Sequence, residues 1–363
     1  MNRKKKISIW SPLRYTNYGD DLQAIIFGLY IKSLGWDVKL FQLDEELSSL
    51  YDLEIASTVN ELCKDINLCI IAGGALLTPV MLHKRILHKV SYLYEQDFKD
   101  LVQAIKKYNT KFCALSIGGD GNTRIPFLYF SRHRIRFFKS DNFLNGTVRL
   151  EGDVSQMEKF GKSFKYFPDY LLQCPQYLNL TLDKTLPPDR PIKVGLNFKK
   201  GRYLPRQLLN DIFEYARNNS DIIFYFVKTH MDKTNINYEY IPNFESKTIK
   251  IIKYKSPTQL MQFMSGIDLL VTSKLHLGIT GLTVGTPYLS YRGHGKAKAF
   301  TKSIGGDWAI LNDDIKFEIL HDKYFRAGKE KLYSRYNMIL LNQMIQESNN
   351  HFLFCKNVVE KYG

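Results

Sequence analysis

Short runs of β-branched and aromatic residues alternate with longer stretches of helically spaced apolar residues along the whole 363-residue chain. Residues 6–10, 37–43, 67–72, 112–117, 147–150 and 164–167 read as strands, each a compact apolar run too short for a helix. Leu22, Ile25, Ile26, Leu29 and Tyr30 place one apolar face on a helix over 20–34, and the pattern recurs over 94–107 and 205–217. Strand, helix, strand in sequence is the signature of βαβ units, whose strands lie parallel. The periodicity lapses at 176–191, where Pro187, Pro188 and Pro191 mark a linker, placed at 177–191. Strands resume near 192–198, 221–228, 248–253, 267–272 and 286–290, and 333–361 reads as helical. The fold class that follows is α/β: two Rossmann-like domains, 1–176 and 192–332, facing a central cleft, with a helical segment 333–363 packing back on the first. The length agrees, since domains run to roughly 150 residues.

Composition narrows the function. Hydrophobic residues at 44% and charged residues at 24% are ordinary for a globular protein and exclude disorder, a collagen or a coiled-coil rod. The charge is not ordinary: 51 Lys+Arg against 36 Asp+Glu leaves +15, which favours anionic partners such as phosphorylated metabolites or a membrane surface. Cys63, Cys69, Cys113, Cys174 and Cys355 form no C-x-x-C pair and read as buried reduced thiols of a cytoplasmic protein. The apolar run 7–10 after the basic N-terminus stops at Ser11-Pro12, too short for a signal peptide, and Asn67, Gly73-Gly74 and Pro79 interrupt the longest apolar stretch. Peripheral contact with an anionic membrane stays open. Arg132-His133-Arg134-Ile135-Arg136 is expected on a helix as a solvated or membrane-facing basic face, and no nucleic acid is expected as a partner.

Ligands of open parallel sheets bind beyond the carboxyl ends of the strands, so the loops there are where chemistry is sought. After the first strand comes Asn17-Tyr18-Gly19-Asp20, with Asp20 a candidate cap of the following helix. Gly73-Gly74 and Gly118-Gly119-Asp120-Gly121 follow later strands, and Arg149 closes another, with Glu151 or Asp153 as candidate ion-pair partners. Neither glycine turn is a dinucleotide fingerprint, and no phosphate loop, nucleophile elbow or metal-ligand spacing is present, so no metal and no cofactor are expected. The densest site is Thr272-Ser273-Lys274-Leu275-His276, with Ser273 expected as the N-cap and Lys274 and His276 in the first helical turn. A lysine there opposes the helix dipole, and an anionic ligand reconciles the two. The following strand ends in Arg292-Gly293-His294-Gly295-Lys296-Ala297-Lys298, which brings further cations to the same crevice.

Taken in order, these motifs resemble the polysaccharide pyruvyl transferase family. The resemblance rests on Asn17-Tyr18-Gly19-Asp20, the Gly73-Gly74 turn, Ser116 to Gly119, Val148-Arg149-Leu150-Glu151 with Leu150 interposed, and Pro168-Asp169. Its most specific part is Ser273-Lys274-Leu275-His276, then Gly285-Thr286-Pro287 and Lys296. It implies a GT-B-like fold and transfer of pyruvate from phosphoenolpyruvate to sugar hydroxyls as a ketal, in cell-surface polysaccharide synthesis. It further implies His276 as acid/base and Arg149, Lys274 and Lys296, with Ser273 and Arg292 beside them, as contacts to the donor. Asn17, Asp20, Gly73, Gly74, Gly118 and Gly119 then line the acceptor side or shape the cleft. The net charge suits a trianionic donor and a lipid-diphosphate-linked sugar acceptor. Lys274 stands where the family has arginine and cannot make a bidentate fork. The alternative is a nucleotide-sugar glycosyltransferase. Against it, enzymes of that class often hold the donor ribose with an acidic residue, and 273–306 contains none.

Overall fold

The computed structural model describes the chain except residues 1–4, 81, 82, 84–86, 88, 120–124, 127, 128, 183–189, 202, 203, 234–237 and 294, and the side chains of 15, 89 and 90. Of the sequence readings, Asp120, Gly121, His294 and most of the proline-rich linker lie outside the described residues. The chain divides into two compact units: Met1–Thr16, Asp20–Tyr170 and Ile345–Gly363 form one, Asn17–Gly19 and Leu171–Met344 the other.

The first unit is built on parallel strands β1 (Lys6–Trp10), β2 (Asp37–Phe41), β3 (Glu54–Ala56), β4 (Leu68–Ala72) and β5 (Lys111–Leu115), ordered β3-β2-β1-β4-β5. Bonds from Ile117 N–H to the Thr147 carbonyl (3.2 Å) and from Arg149 N–H to the Ile117 carbonyl (3.1 Å) carry the pairing on to β6 (Gly146–Val148) and β7 (Phe164–Tyr166). Burial of β4 on both faces explains its unbroken apolar sequence. The second unit repeats the plan with β8 (Ile192–Asn197), β9 (Ile222–Val227), β10 (Ile249–Ile252), β11 (Leu269–Thr272), β12 (Tyr288–Tyr291) and β13 (Ile310–Leu311), ordered β10-β9-β8-β11-β12-β13, every pair parallel. Each unit is Rossmann-like, and in the second the strand order reverses between β8 and β11.

Three expectations are corrected. Arg134 is not on a solvated basic face: it is fully buried, donates to the Leu76 and Thr78 carbonyls (3.0 and 3.1 Å), pairs with Glu95 and lies over the rings of Tyr94 and Phe98. On the helix Arg132–Lys139 it shares the inward face with Phe137 and Phe138, which no tally of charge reveals. The boundary between units falls at Tyr170 rather than 176. The C-terminal segment joins the first unit, as expected, but from Ile345 onward rather than from 333. The helix Met338–Ser348 changes unit at Ile345, and Asn350–Tyr362 packs entirely with the first. All five cysteines are buried.

That last helix is held by a buried polar chain. Ser116 N–H donates to Thr147 Oγ1 (2.9 Å), which lies 2.7 Å from His351 Nδ1, while Nε2 lies 3.0 Å from the Pro168 carbonyl. A carbonyl only accepts, so Nε2 carries the proton and Nδ1 accepts from the threonine hydroxyl. Phe27, Tyr170 and Phe352 stack beside it. Burial, aided by the Arg149 charge and opposed by the two carbonyls, pushes the His351 imidazole down to about 3. The unfolded chain therefore binds a proton that the folded one refuses below its ordinary value of 6.5. This stabilising contribution is complete above that pH and is lost as pH falls toward 3. Asp97, raised to about 6 chiefly by burial, acts in the opposite sense between 6 and its ordinary 3.8, so the comparison must be between variants. Expected in thermal melts is a Tm that falls between pH 6.5 and 4 more steeply in wild type than in His351→Asn; equal slopes count against this role.

Candidate functional site

A cavity of about 770 Å³ opens in the second unit at the carboxyl ends of its strands. Lys199 follows β8, Thr229 and His230 follow β9, Ser273 to Leu277 follow β11, Tyr291, Arg292 and Gly293 close β12, and Asp313 follows β13. Asn17, Tyr18 and Gly19 complete it with Tyr238, Lys296, Ala297 and Lys298. Asn197 fixes the strand ends: its Nδ2 donates to the Val227 carbonyl (2.9 Å), its Oδ1 accepts from Thr272 Oγ1 (3.3 Å), and its carbonyl accepts from Ser273 N–H (3.2 Å). Three strands are thereby tied at the point of order reversal.

Five cations line the cavity, Lys199, Lys274, Arg292, Lys296 and Lys298, against Asp313 as the one carboxylate among the described lining residues. Two helices begin there, Leu275–Thr283 and Gly295–Ser303, adding the positive ends of their dipoles. Arg292 adopts a left-handed backbone (φ 48°), uncommon for a residue with a Cβ, and its side chain meets the carbonyl and carboxylate of Asp313 at 3.0 and 3.5 Å. Such a concentration of like charge is self-repulsive until an anion occupies it.

The cap of Leu275–Thr283 differs from expectation. Lys274, not Ser273, is the N-cap residue, and Thr272 Oγ1 accepts the Lys274 N–H at 3.0 Å. The Lys274 ammonium does not stand alone before a ligand: it donates to Thr229 Oγ1 (2.8 Å) and to the carboxylate of Glu239, which is fully buried. The same carboxylate accepts from Thr229 Oγ1 (2.5 Å) and lies 2.9 Å from His230 Nδ1. Burial alone raises a carboxyl; here the hydrogen bond from His230 and the charges of Lys274 and His230 outweigh it and hold Glu239 at about 2. Glu239 and His230 were not singled out in the sequence. Both lie in a loop region without regular periodicity, and only the fold brings them under Lys274.

Asn17, rather than Asp20, stands before the helix Tyr18–Ser33, its Oδ1 accepting the Gly19 N–H at 3.4 Å. Asn17 pairs with His230 in an antiparallel bridge, Tyr18 N–H donates to the Thr229 carbonyl (2.9 Å), and Tyr18 OH donates to Thr280 Oγ1 (2.8 Å). Gly19 lies against the imidazole of His276, where a Cβ would fall 1.8 Å from Nδ1. Asn17–Gly19 thus touches both histidines of the cavity.

The other expected residues lie in the first unit and do not line this cavity. Arg149 is buried and paired with Asp169 (3.2 Å), not with Glu151 or Asp153, and reaches the Gly74 carbonyl at 3.4 Å. Gly73 and Gly74 have φ of 59° and 80°, and Gln23 Oε1 accepts the Gly74 N–H at 2.9 Å. A Cβ at Gly118 would lie 2.8 Å from Arg149 Nε, and Gly119 N–H donates to Asp153 (2.7 Å). These glycines pack Arg149 into place. Asp20 stands in the first turn of Tyr18–Ser33. Among the described residues no group of His, Cys, Asp and Glu could hold a metal ion, and no helix is long and apolar enough to cross a membrane.

Because the His276 ring is the movable partner, Gly19→Ala should displace it at small cost to the fold. Histidine ring resonances assigned to His276 are expected to shift while Tm falls by no more than a few degrees; unchanged resonances would mean the ring does not rest on Gly19.

Solved structures share this architecture over nearly their whole length. UDP-GlcNAc 2-epimerase from Neisseria meningitidis, bound to UDP-GlcNAc, superposes with a TM-score of 0.57 at 9% identity, covering 98% of this chain and 100% of that one. A glycosyltransferase from Rickettsia africae gives 0.54 at 11% identity, covering 99% of each. The MnaA–UDP structure from S. aureus gives 0.55 at 10% identity, with 96% and 97% covered. At these identities the likeness is one of fold: two Rossmann-like units of GT-B type. No curated protein matches the chain. The family model that matches is that of polysaccharide pyruvyl transferase, over residues 161–292, from the end of the first unit's sheet through Lys274, His276 and Arg292. Over that stretch the chain is similar to the polysaccharide pyruvyl transferase family, on an α/β fold of GT-B type.

Proposed function

We propose that the protein is a transferase that moves pyruvate from phosphoenolpyruvate onto two hydroxyls of a sugar, forming a ketal, in the synthesis of a surface polysaccharide. The observation that carries this reading is the cationic cavity around His276, within the stretch matched by the family model. A donor with a phosphate and a carboxylate offsets the charge of Lys296, Lys298 and Arg292 and meets two helix N-termini. His276 supplies acid/base chemistry: adding a hydroxyl across the enol requires a proton to be delivered to carbon, and phosphate leaves with its charge stabilised. Lys274 contributes as a point charge partly offset by Glu239, so donor binding depends more on Lys296 and Arg292 than the motif implies. The acceptor is a sugar, with a lipid-linked diphosphate suited to the net charge.

A second reading is a nucleotide-sugar glycosyltransferase, favoured by the fold shared with proteins whose structures hold UDP or UDP-GlcNAc.

A thermal-shift comparison at fixed ionic strength separates the two. Phosphoenolpyruvate at about 100 times its Kd adds roughly 2.7 kcal/mol, a shift of several degrees. It should exceed the shift from inorganic phosphate and persist in His276→Ala, which loses turnover. A shift from UDP, GDP or CMP with none from phosphoenolpyruvate would sink the pyruvyl reading.

A further inference from the structure

His230 has the construction of a working imidazole. The Glu239 carboxylate, held ionised, can only accept, so Nδ1 of His230 carries a proton and donates it at 2.9 Å. In the neutral ring this leaves the lone pair on Nε2, and among the described residues Nε2 makes no hydrogen bond. The ring is 4% exposed, and the residue lines the cavity with His276. A carboxylate fixing one imidazole nitrogen so that the other handles protons is a recurrent arrangement in acid/base catalysis. Asn17–Gly19 links the two residues, bridging the His230 backbone through Asn17 and packing on the His276 ring through Gly19.

The proposed reaction has work for two such groups. Addition of the first sugar hydroxyl forms an O–C2 bond on the enol, and that hydroxyl's proton is delivered to C3, converting the methylene to a methyl. The second hydroxyl then forms its own bond to C2 as the C2–O bond to phosphate breaks, and its proton ends on the departing phosphate. Two hydroxyls are deprotonated, one proton ends on carbon and one on phosphate.

We propose that His230, oriented by Glu239, is a second catalytic acid/base residue of this cavity, serving one hydroxyl while His276 serves the other. This rests on the pyruvyl-transfer reading for its two deprotonations, but the tautomer and the relay are tested without it. Glu239 is the positioning residue. Lys274 shares its carboxylate, which couples the divergent lysine of the motif to the orientation of His230.

The experiment compares wild type with His230→Asn, His230→Ala and Glu239→Gln. Asparagine keeps a donor where Nδ1 stood, so His230→Asn retains the bond to Glu239 and the fold but cannot relay a proton. With phosphoenolpyruvate and a panel of nitrophenyl glycosides, kcat in His230→Asn should drop about 100-fold or more with KM for phosphoenolpyruvate within a few-fold. His230→Ala should regain part of its turnover on addition of free imidazole, which a structural role would not allow. Glu239→Gln should fall between. Turnover in His230→Asn within threefold of wild type overturns the proposal while leaving pyruvyl transfer intact. If wild type uses a nucleotide sugar instead, the pyruvyl reading falls and the same variants and rescue judge His230 on that reaction. Independently of any substrate, ¹⁵N-histidine spectra should show the neutral His230 ring protonated at Nδ1. A proton on Nε2 overturns the relay whichever donor is used.

Discussion

One buried negative charge organises the cavity of the second unit. Glu239 is fully buried and is ionised only because Thr229, His230 and Lys274 converge on it. Unpaired, such a charge would be far costlier than the three bonds are valuable, so the network is an all-or-none arrangement. Satisfying it fixes the N-cap residue of the helix Leu275–Thr283, the tautomer of one histidine and the hydroxyl next to it. Asn17–Gly19 then docks along the edge so formed and sets the second histidine.

The architecture was legible because parallel strands are buried on both faces and write themselves as continuous apolar runs. β4, β9 and β11 stand out for that reason. The strands missed, Glu54–Ala56 and Ile310–Leu311, are sheet edges of three and two residues, too short to carry a period. Of the site, Lys274, His276, Arg292 and Lys296 were found because they directly follow such runs. Glu239 and His230 were not, since their role comes from contacts across loops. Arg134 shows the reverse limit: a basic tripeptide pattern reads as surface until the helix phase puts one guanidinium among phenylalanines. At the glycine turns, expected to line the acceptor side or shape the cleft, a Cβ at Gly118 would meet Arg149 and one at Gly73 would meet Gln23.

The departure at Lys274 also takes on a physical meaning. A guanidinium presents a planar fork suited to two oxygens of one ligand, whereas an ammonium directs its donors separately. Here the ammonium is spent largely inward, on Glu239 and Thr229, and so supports the floor of the cavity more than its contents.

The return of the last helix to the first unit has a consequence for biogenesis. Thr147 and His351 meet across a separation of 204 residues. During synthesis the first unit therefore waits, its sheet formed but one side uncovered, until the segment around His351 has left the ribosome. The second unit, continuous from Leu171 to Met344 save for Asn17–Gly19, draws on no segment beyond Met344. The exposed flank of the earlier half is thus where a chaperone would be needed.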